Sequence, residues 1–473
     1  MHQGSSLTAR SALSRSSPGL TVQLARRILF ATQTHSLHGG AERWLADLAA
    51  GLAGHGWQVR IAGANGPTFH SADRYLSAYP ELRALAPIIL HSRSGFAGGR
   101  RRMLEKALQE WKPDVVVPVL LHETIGAVAR LRRGGQQMKL VYPVHESEVW
   151  AYRAVADNAQ HIDAVFSVNR LMLDAIKCFS NWPVERSFHI PAGVILPERV
   201  ADVFATGQPV RIGYCGKLVQ SQKRIRDLIA FCRSLESNGR PYRLTITGEG
   251  AEGPALKRSF AAEVAAGQVV FLGALPQADL YRKFYPELDL LLITSERETG
   301  PLVAWEAMLH GLLILTSEYR GLRREGVLRH EDTALVFPVG DPVRGAEILC
   351  AALGDRDKLR EIAARGRLRA EQALTVETMV ERWSDALNCV LALPALTDAK
   401  VPCYDYRLGP REWLEDRIRS VLNRPFFSSN PHQEWPRYKI GNVDRSVRDK
   451  FVKRLDVLEA SLDSGTCGLT SGT

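Results

Sequence analysis

A chain of 473 residues and 52.5 kDa exceeds one ordinary domain and accommodates two or three packed units of about 150 residues. With 45% hydrophobic and 24% charged residues, plus 9 Trp, 12 Tyr and 15 Phe, it can fill sizeable cores, which excludes a small binding module and a disordered chain. The excess of 61 Lys and Arg over 51 Asp and Glu gives a net charge of +10, suited to nucleotide phosphates, anionic lipid or nucleic acid without choosing among them.

Residues 1–25 read as a disordered arm, with a weak likeness to a transit peptide: Asp and Glu are absent, Ser is frequent, and Arg10 and Arg15 are dispersed. Arg26-Arg27 then opens the apolar run Ile28-Leu29-Phe30-Ala31. Gly39-Gly40 follows, and over residues 41–53 Trp44, Leu45, Leu48, Ala49 and Leu52 form a helical stripe, giving strand, glycine loop, helix. Short β-branched runs at 58–62, 114–117, 140–144 and 164–168 predict a parallel sheet covered on both faces.

The breaker-rich stretch 191–209 separates this unit from a second one with the same grammar. A strand at 210–214 leads to a glycine loop at Gly216 and a helix over 225–235, and strands follow at 242–247, 269–272, 288–293 and 312–316. Two Rossmann-like halves joined by a linker are expected, the second core ending near Asp341. Helical sequence then runs over 344–393, broken at Gly354 and restarting near Thr375. Prolines punctuate the remaining tail, in which 411–422 and 447–462 have amphipathic helical spacing and Trp413, Phe426, Phe427 and Trp435 suggest packing against the body or a partner. Charged residues interrupt every hydrophobic stretch short of the roughly 20 residues a bilayer requires. The seven cysteines are scattered without a CxxC pair or a His cluster at metal spacing, which fits reduced thiols in a cytosolic setting.

Ligands of open parallel sheets sit beyond the carboxyl ends of the strands, so three loops carry the argument. Gly39-Gly40 lacks the G-x-G-x-x-G dinucleotide pattern, yet two glycines before a helix permit close backbone approach to an anion; a packing turn fits as well. In the second loop, Gly216-Lys217-Leu218, Lys217 and Lys223 place two ammonium groups near a helix start, as a pyrophosphate requires and as solvated surface lysines also permit. The segment 295–308 is the most informative. Pro301 suits the first helical position, which leaves the amides of Leu302 and Val303 free to cradle a phosphate at the positive end of the helix dipole. Glu298 before the helix and Glu306 in its second turn can bracket an elongated ligand and accept hydrogen bonds from sugar or ribose hydroxyls, although the spacing alone also fits two solvated glutamates.

Glu298-(x7)-Glu306, Gly216-Lys217-Leu218 with Lys223, and Gly39-Gly40-Ala41-Glu42 together resemble the retaining GT-B glycosyltransferases of family 4, over roughly residues 26–390. The resemblance implies an α/β fold of two Rossmann-like domains facing across a cleft, at 26–192 on the acceptor side and 193–374 on the donor side. A helix at 375–393 crosses back to the first, and 394–473 form an extension of unknown role. It implies that Glu298 holds donor-sugar hydroxyls, Glu306 the ribose, and Lys217 and Lys223 the diphosphate together with Leu302, Val303, Gly39 and Gly40. Gly216 and Gly300 are placed with Glu306 at the ribose and sugar. His145, in Val144-His145-Glu146 at a strand end, matches the family's histidine near the donor sugar, and Gly273 and Gly248-Glu249-Gly250 match family turns. Two departures stand out: Lys217 replaces a usual Arg, losing a bidentate fork, and Thr299 replaces a usual glycine.

The expected reaction is metal-independent, retaining transfer of a hexose from a UDP-, GDP- or ADP-sugar to a glycan, lipid-linked or small-molecule acceptor. No cofactor beyond the donor is expected. Asp355-Arg356-Asp357 has the form of a metal-binding DxD but reads more simply as a helix cap after Gly354. The stretches 100–102 and 130–139 could rest on anionic membrane or form a solvated face, so the expected location is cytoplasmic, with a peripheral position at the inner membrane face as an option. A nucleotide-sugar isomerase on the same fold is the alternative. A basic nucleic-acid binder is remote, because no nucleic-acid motif accompanies the charge.

Overall fold

The computed structural model describes residues 26–34, 39–66, 71–92, 97–205, 208–396 and 445–461. The expected N-terminal arm and the 411–422 helix lie outside the described residues. Seven parallel strands form the first sheet: β1 (Arg27–Thr32), β2 (Gln58–Asn65), β3 (Ile88–His91), β4 (Val115–Val119), β5 (Lys139–Val144), β6 (Ala164–Ser167) and β7 (Ser187–His189), in the order β3-β2-β1-β4-β5-β6-β7. The second has six: β8 (Val210–Cys215), β9 (Tyr242–Thr247), β10 (Val269–Gly273), β11 (Leu290–Ile293), β12 (Leu313–Ser317) and β13 (Leu335–Phe337), in the order β10-β9-β8-β11-β12-β13. These are two Rossmann-like lobes. Central strands such as Val115–Val119 and Leu290–Ile293 are buried at every position, which is why they read as unbroken apolar runs rather than alternating ones.

Both sheets reverse their direction of growth beside the first strand. β1 lies between β2 and β4, and β8 between β9 and β11, so each lobe opens a crevice at the carboxyl ends of those central strands. The sequence did not disclose β3, β7 and β13, which have four, three and three residues and are too short to show a period.

After the second sheet, Thr375 caps the helix Val376–Ala392 by accepting the Thr378 amide at 3.2 Å. That helix packs against the first lobe. Its Trp383 is fully buried among Phe30, Trp44 and Phe166, with ring centroids 6.4, 5.6 and 4.6 Å away. Where the chain passes between lobes, Val194 and the 374–376 segment exchange backbone hydrogen bonds, so the two crossings are tied together. A last described helix, Arg445–Ala460, lies on the first lobe, where Phe451, Leu455 and Leu458 enter its core.

The two basic stretches are partly turned inward. Arg100 is buried in an ion pair with Glu123 at 2.6 Å, Arg132 pairs with the buried Asp163, and Lys139 reaches Asp163 at 3.5 Å and the carbonyl of Leu393 at 2.7 Å. Sequence shows the sign of these charges but not their partners. Among the described residues, Cys215, Cys232, Cys350 and Cys389 are free thiols, and no helix is long and apolar enough to cross a membrane.

Trp383→Ala removes the largest side chain by which the returning helix holds the first lobe. It is expected to cost about 3–5 kcal/mol in urea unfolding; a loss below about 1 kcal/mol would contradict this packing.

Candidate active site

β8 ends at Cys215 and Gly216 follows with φ +153°, while the neighbouring β11 ends at Ile293 and leads through Thr294 and Ser295 to Glu298. The two strand ends bring together residues 75 apart in sequence. Lys223 Nζ lies 2.5 Å from Glu298 Oε1, and Ser295 Oγ donates to the same oxygen at 2.5 Å. Thr294 Oγ1 donates to the Lys223 carbonyl at 2.7 Å, fixing the backbone behind the ammonium group. The Lys223 and Glu298 side chains are only 18% and 8% exposed, so the charges compensate each other in a poorly solvated place. Removing either one would strand the other at a cost of several kcal/mol.

The loop carrying Lys217 is closed from behind by Gly248, whose φ is +125° and where a Cβ would stand 1.9 Å from the Gly216 carbonyl oxygen. Only glycine permits that approach. Leu218 N–H donates to the Glu249 carbonyl at 2.9 Å, completing the contact. Lys217 itself is exposed, and its ammonium group has no partner among the described residues.

The helix Leu302–Leu309 starts one residue later than the sequence suggested. Pro301, with ψ 105°, is the extended cap rather than the first helical residue. Its carbonyl accepts from the amides of Ala304 and Trp305 at 2.8 and 3.3 Å, which leaves Leu302 and Val303 as the residues whose N–H groups lack an acceptor within the helix. Glu306 sits in the second turn, buried. Its Oε2 accepts from the Tyr285 hydroxyl at 2.6 Å and its Oε1 from Gln277 Nε2 at 3.0 Å. Burial raises the Glu306 carboxyl above its usual range, and these two hydrogen bonds oppose the rise. Burial, reinforced by the Glu306 charge, pushes the neighbouring Cys215 thiol up to about 12, so it is not a nucleophile.

The first lobe meets this surface directly. A Cβ at Gly40 would lie 3.4 Å from Leu302 Cδ1, so the Gly39-Gly40 loop faces the helix start. Thr299 Oγ1 donates to the His145 carbonyl at 2.7 Å, an interlobe bond that a glycine at this position could not make. Gly300, with φ +97°, passes the Val168 carbonyl, and Arg297 pairs with Glu148 at 2.9 Å. The His145 ring stands edge-on to Trp44 at 4.3 Å; its Nε2 is shielded from solvent and has no hydrogen-bond partner among the described residues. Burial lowers the imidazole from 6.5 to about 4, which keeps it neutral at pH 7.

Lys223, Glu298 and Gly216 thus lie together at the strand ends of the second lobe, and Thr299, Gly300 and Leu302 of the adjoining segment meet His145, Val168 and Gly40 of the first, with Glu306 in the second turn of the helix. Sequence reasoning missed Tyr285, Gln277 and Glu148, which carry no motif and reach the site only through folding, and it gave Ser295 and Arg297, inside the segment 295–308, no role. Asp355 caps the helix Arg356–Ala373 by accepting the Lys358 amide at 3.0 Å, which accounts for the DxD match. Among the described residues no group of three or more His, Cys, Asp or Glu could hold a metal ion.

Comparison with known proteins gives a consistent picture. Residues 38–196 match the Glycosyltransferase Family 4 model and residues 209–355 the Glycosyl transferases group 1 model. The D-inositol 3-phosphate glycosyltransferase of Nocardia farcinica is 31% identical over 194 residues, 39% of this chain. The chain spans 42% of that relative's length. Two solved structures share the fold over nearly their whole chains. HepE of Anabaena, in complex with UDP-glucose, has TM-score 0.61 and 17% identity, covering 76% of this chain and 99% of its own. The sucrose-phosphate synthase of Thermosynechococcus elongatus has TM-score 0.63 and 18% identity, covering 78% and 99%.

The depressed His145 value fixes a sign. The unfolded chain takes up the imidazole proton first as pH falls, so the contribution to stability is complete above about pH 6.5 and is lost progressively toward pH 4. NMR of the His145 ring should show no titration between pH 8 and 5; a midpoint near 6.5 would contradict the burial.

Proposed function

We propose that this chain, which belongs to the group 1, family 4 glycosyltransferases, moves a hexose from a nucleoside diphosphate sugar to an acceptor hydroxyl with retention of anomeric configuration. The observation that carries the reading is the Lys223–Glu298 pair at the switch point of the second sheet, its Glu298 in the loop that leads into the helix start at Leu302, which Gly40 of the first lobe meets. Cation, helix amides and carboxylate are what a diphosphate joined to a polyol requires.

In this reading Lys223 exchanges Glu298 for the diphosphate, and Lys217 and the amides of Leu302 and Val303 add donors. The released Glu298 carboxylate accepts from donor-sugar hydroxyls. Glu306, held by Tyr285 and Gln277, takes the ribose, and Gly216, Gly300, Gly39 and Gly40 let backbone come close. Neutral His145 offers a hydrogen-bonding edge near the sugar rather than a charge. The bond from the anomeric carbon to the diphosphate oxygen breaks, its electron pair leaving with the diphosphate. The acceptor oxygen bonds to the same face of that carbon and its proton passes to the departing phosphate oxygen. Ammonium groups and amides neutralise the developing charge, so transfer proceeds without a metal.

UDP-glucose in the HepE complex favours a UDP-hexose over GDP- or ADP-sugars as donor, and the inositol phosphate in the name of the Nocardia relative favours a small phosphorylated polyol over a glycan or lipid-linked acceptor. The scattered cysteines, without a CxxC pair, support a cytoplasmic setting. Arg133, exposed on the first lobe, offers a cation for peripheral contact with anionic lipid.

Saturating UDP-hexose at about 100 times its Kd should stabilise the chain by about 2.7 kcal/mol in thermal unfolding. Glu298→Gln, which keeps the side-chain shape, should lower transfer about 100-fold or more. Unchanged transfer in that variant, or no stabilisation by any nucleoside diphosphate sugar, would overturn the reading.

A further inference from the structure

The helix Arg445–Ala460 belongs to neither sheet, yet its contacts divide between the lobes. Phe451, Leu455 and Leu458 fall at i, i+4 and i+7 and are buried on the first lobe against the helices Val149–Ala156 and Arg170–Ser180. Phe451 lies 5.3 Å from Tyr152 and 6.2 Å from Phe179, and Arg454 covers the Phe179 ring at 3.9 Å. Its other side reaches the second lobe. Glu459 Oε1 accepts the Gly321 amide at 2.8 Å and Asp456 Oδ1 accepts from Arg320 Nε at 2.8 Å.

Arg320 and Gly321 form the turn after β12, and that turn is bonded to the loop bearing Glu298. The Arg320 amide donates to the Glu296 carbonyl at 3.1 Å, and Arg297 and Arg320 form a β-bridge. From the first lobe, Glu148 reaches the same loop through Arg297 at 2.9 Å, with Arg448 of the terminal helix 3.8 Å from its other oxygen. The loop 296–298 is therefore steadied by this helix along two routes.

We propose that the helix Arg445–Ala460 is an interlobe strap and that Glu459 is a positioning residue, holding the Arg320–Gly321 turn so that the adjoining loop presents Glu298 to the donor sugar. This rests on the reading of Glu298 given above. An acceptor atom is what the Gly321 amide needs. Glu459→Gln keeps that atom, and Glu459→Leu removes it at similar length.

Hydrogen–deuterium exchange of the full chain, measured without substrate, tests the strap independently of the reaction. Glu459→Leu should raise exchange about tenfold in residues 294–300 and 319–322, with the second-lobe core strands unchanged, and Glu459→Gln should restore protection. Under the transfer assay, Glu459→Leu should lower kcat about tenfold with acceptor KM unchanged. Unchanged exchange in 294–300, or a uniform rise across both lobes, would overturn the strap. Altered exchange in a chain that transfers no sugar would leave the strap standing and remove the proposed function instead.

Discussion

The buried ion pair between Lys223 and Glu298 is the interaction around which the interlobe crevice is organised. Two opposite charges lie 2.5 Å apart where solvent is largely excluded, and neither is stable there without the other. Everything nearby holds the pair in register. Ser295 donates to the carboxylate, Thr294 fastens the lysine backbone, and Gly248 supports the loop that brings Gly216 beside the lysine stem. A site prepared in this way favours a ligand carrying both an anion for the ammonium group and hydroxyls for the carboxylate, because such a ligand replaces both partners at once.

The second constraint is the meeting of lobes. Thr299 with the His145 carbonyl, Arg297 with Glu148 and Leu302 with Gly40 all cross the crevice beside the same loop, so the position of Glu298 depends on how the lobes sit. His145 contributes as a neutral ring wedged against Trp44, whose neighbour Trp383 comes from the returning helix Val376–Ala392. Core packing and site geometry are thereby connected through three aromatic or imidazole rings.

Much of the fold was legible because doubly covered parallel strands leave long apolar runs; β4 and β11 are plain in the sequence, whereas three-residue β7 and β13 are not. One rule, that ligands of open parallel sheets sit beyond the carboxyl strand ends, directs attention to the loops of Gly216, Lys223, Glu298 and Leu302, and the family resemblance rather than spacing joins them in one site. What stayed hidden was partnership. The pair Lys223–Glu298 spans 75 residues, Gln277 and Tyr285 reach Glu306 from 29 and 21 residues away, and Arg100 looked like part of an external basic patch until Glu123 was seen to bury it. Pro301 reads from sequence as a first helical residue because its ring fixes φ, which cap and first turn share, whereas ψ makes it the cap.

A crystal structure of the chain with UDP-glucose bound measures the central exchange directly. The expected result is a diphosphate oxygen within hydrogen-bonding distance of Lys223 Nζ, with the amides of Leu302 and Val303 beside it and Glu298 turned to the sugar hydroxyls. A nucleotide seated outside the interlobe crevice, or a Lys223–Glu298 pair left intact beside a bound diphosphate, would contradict the account.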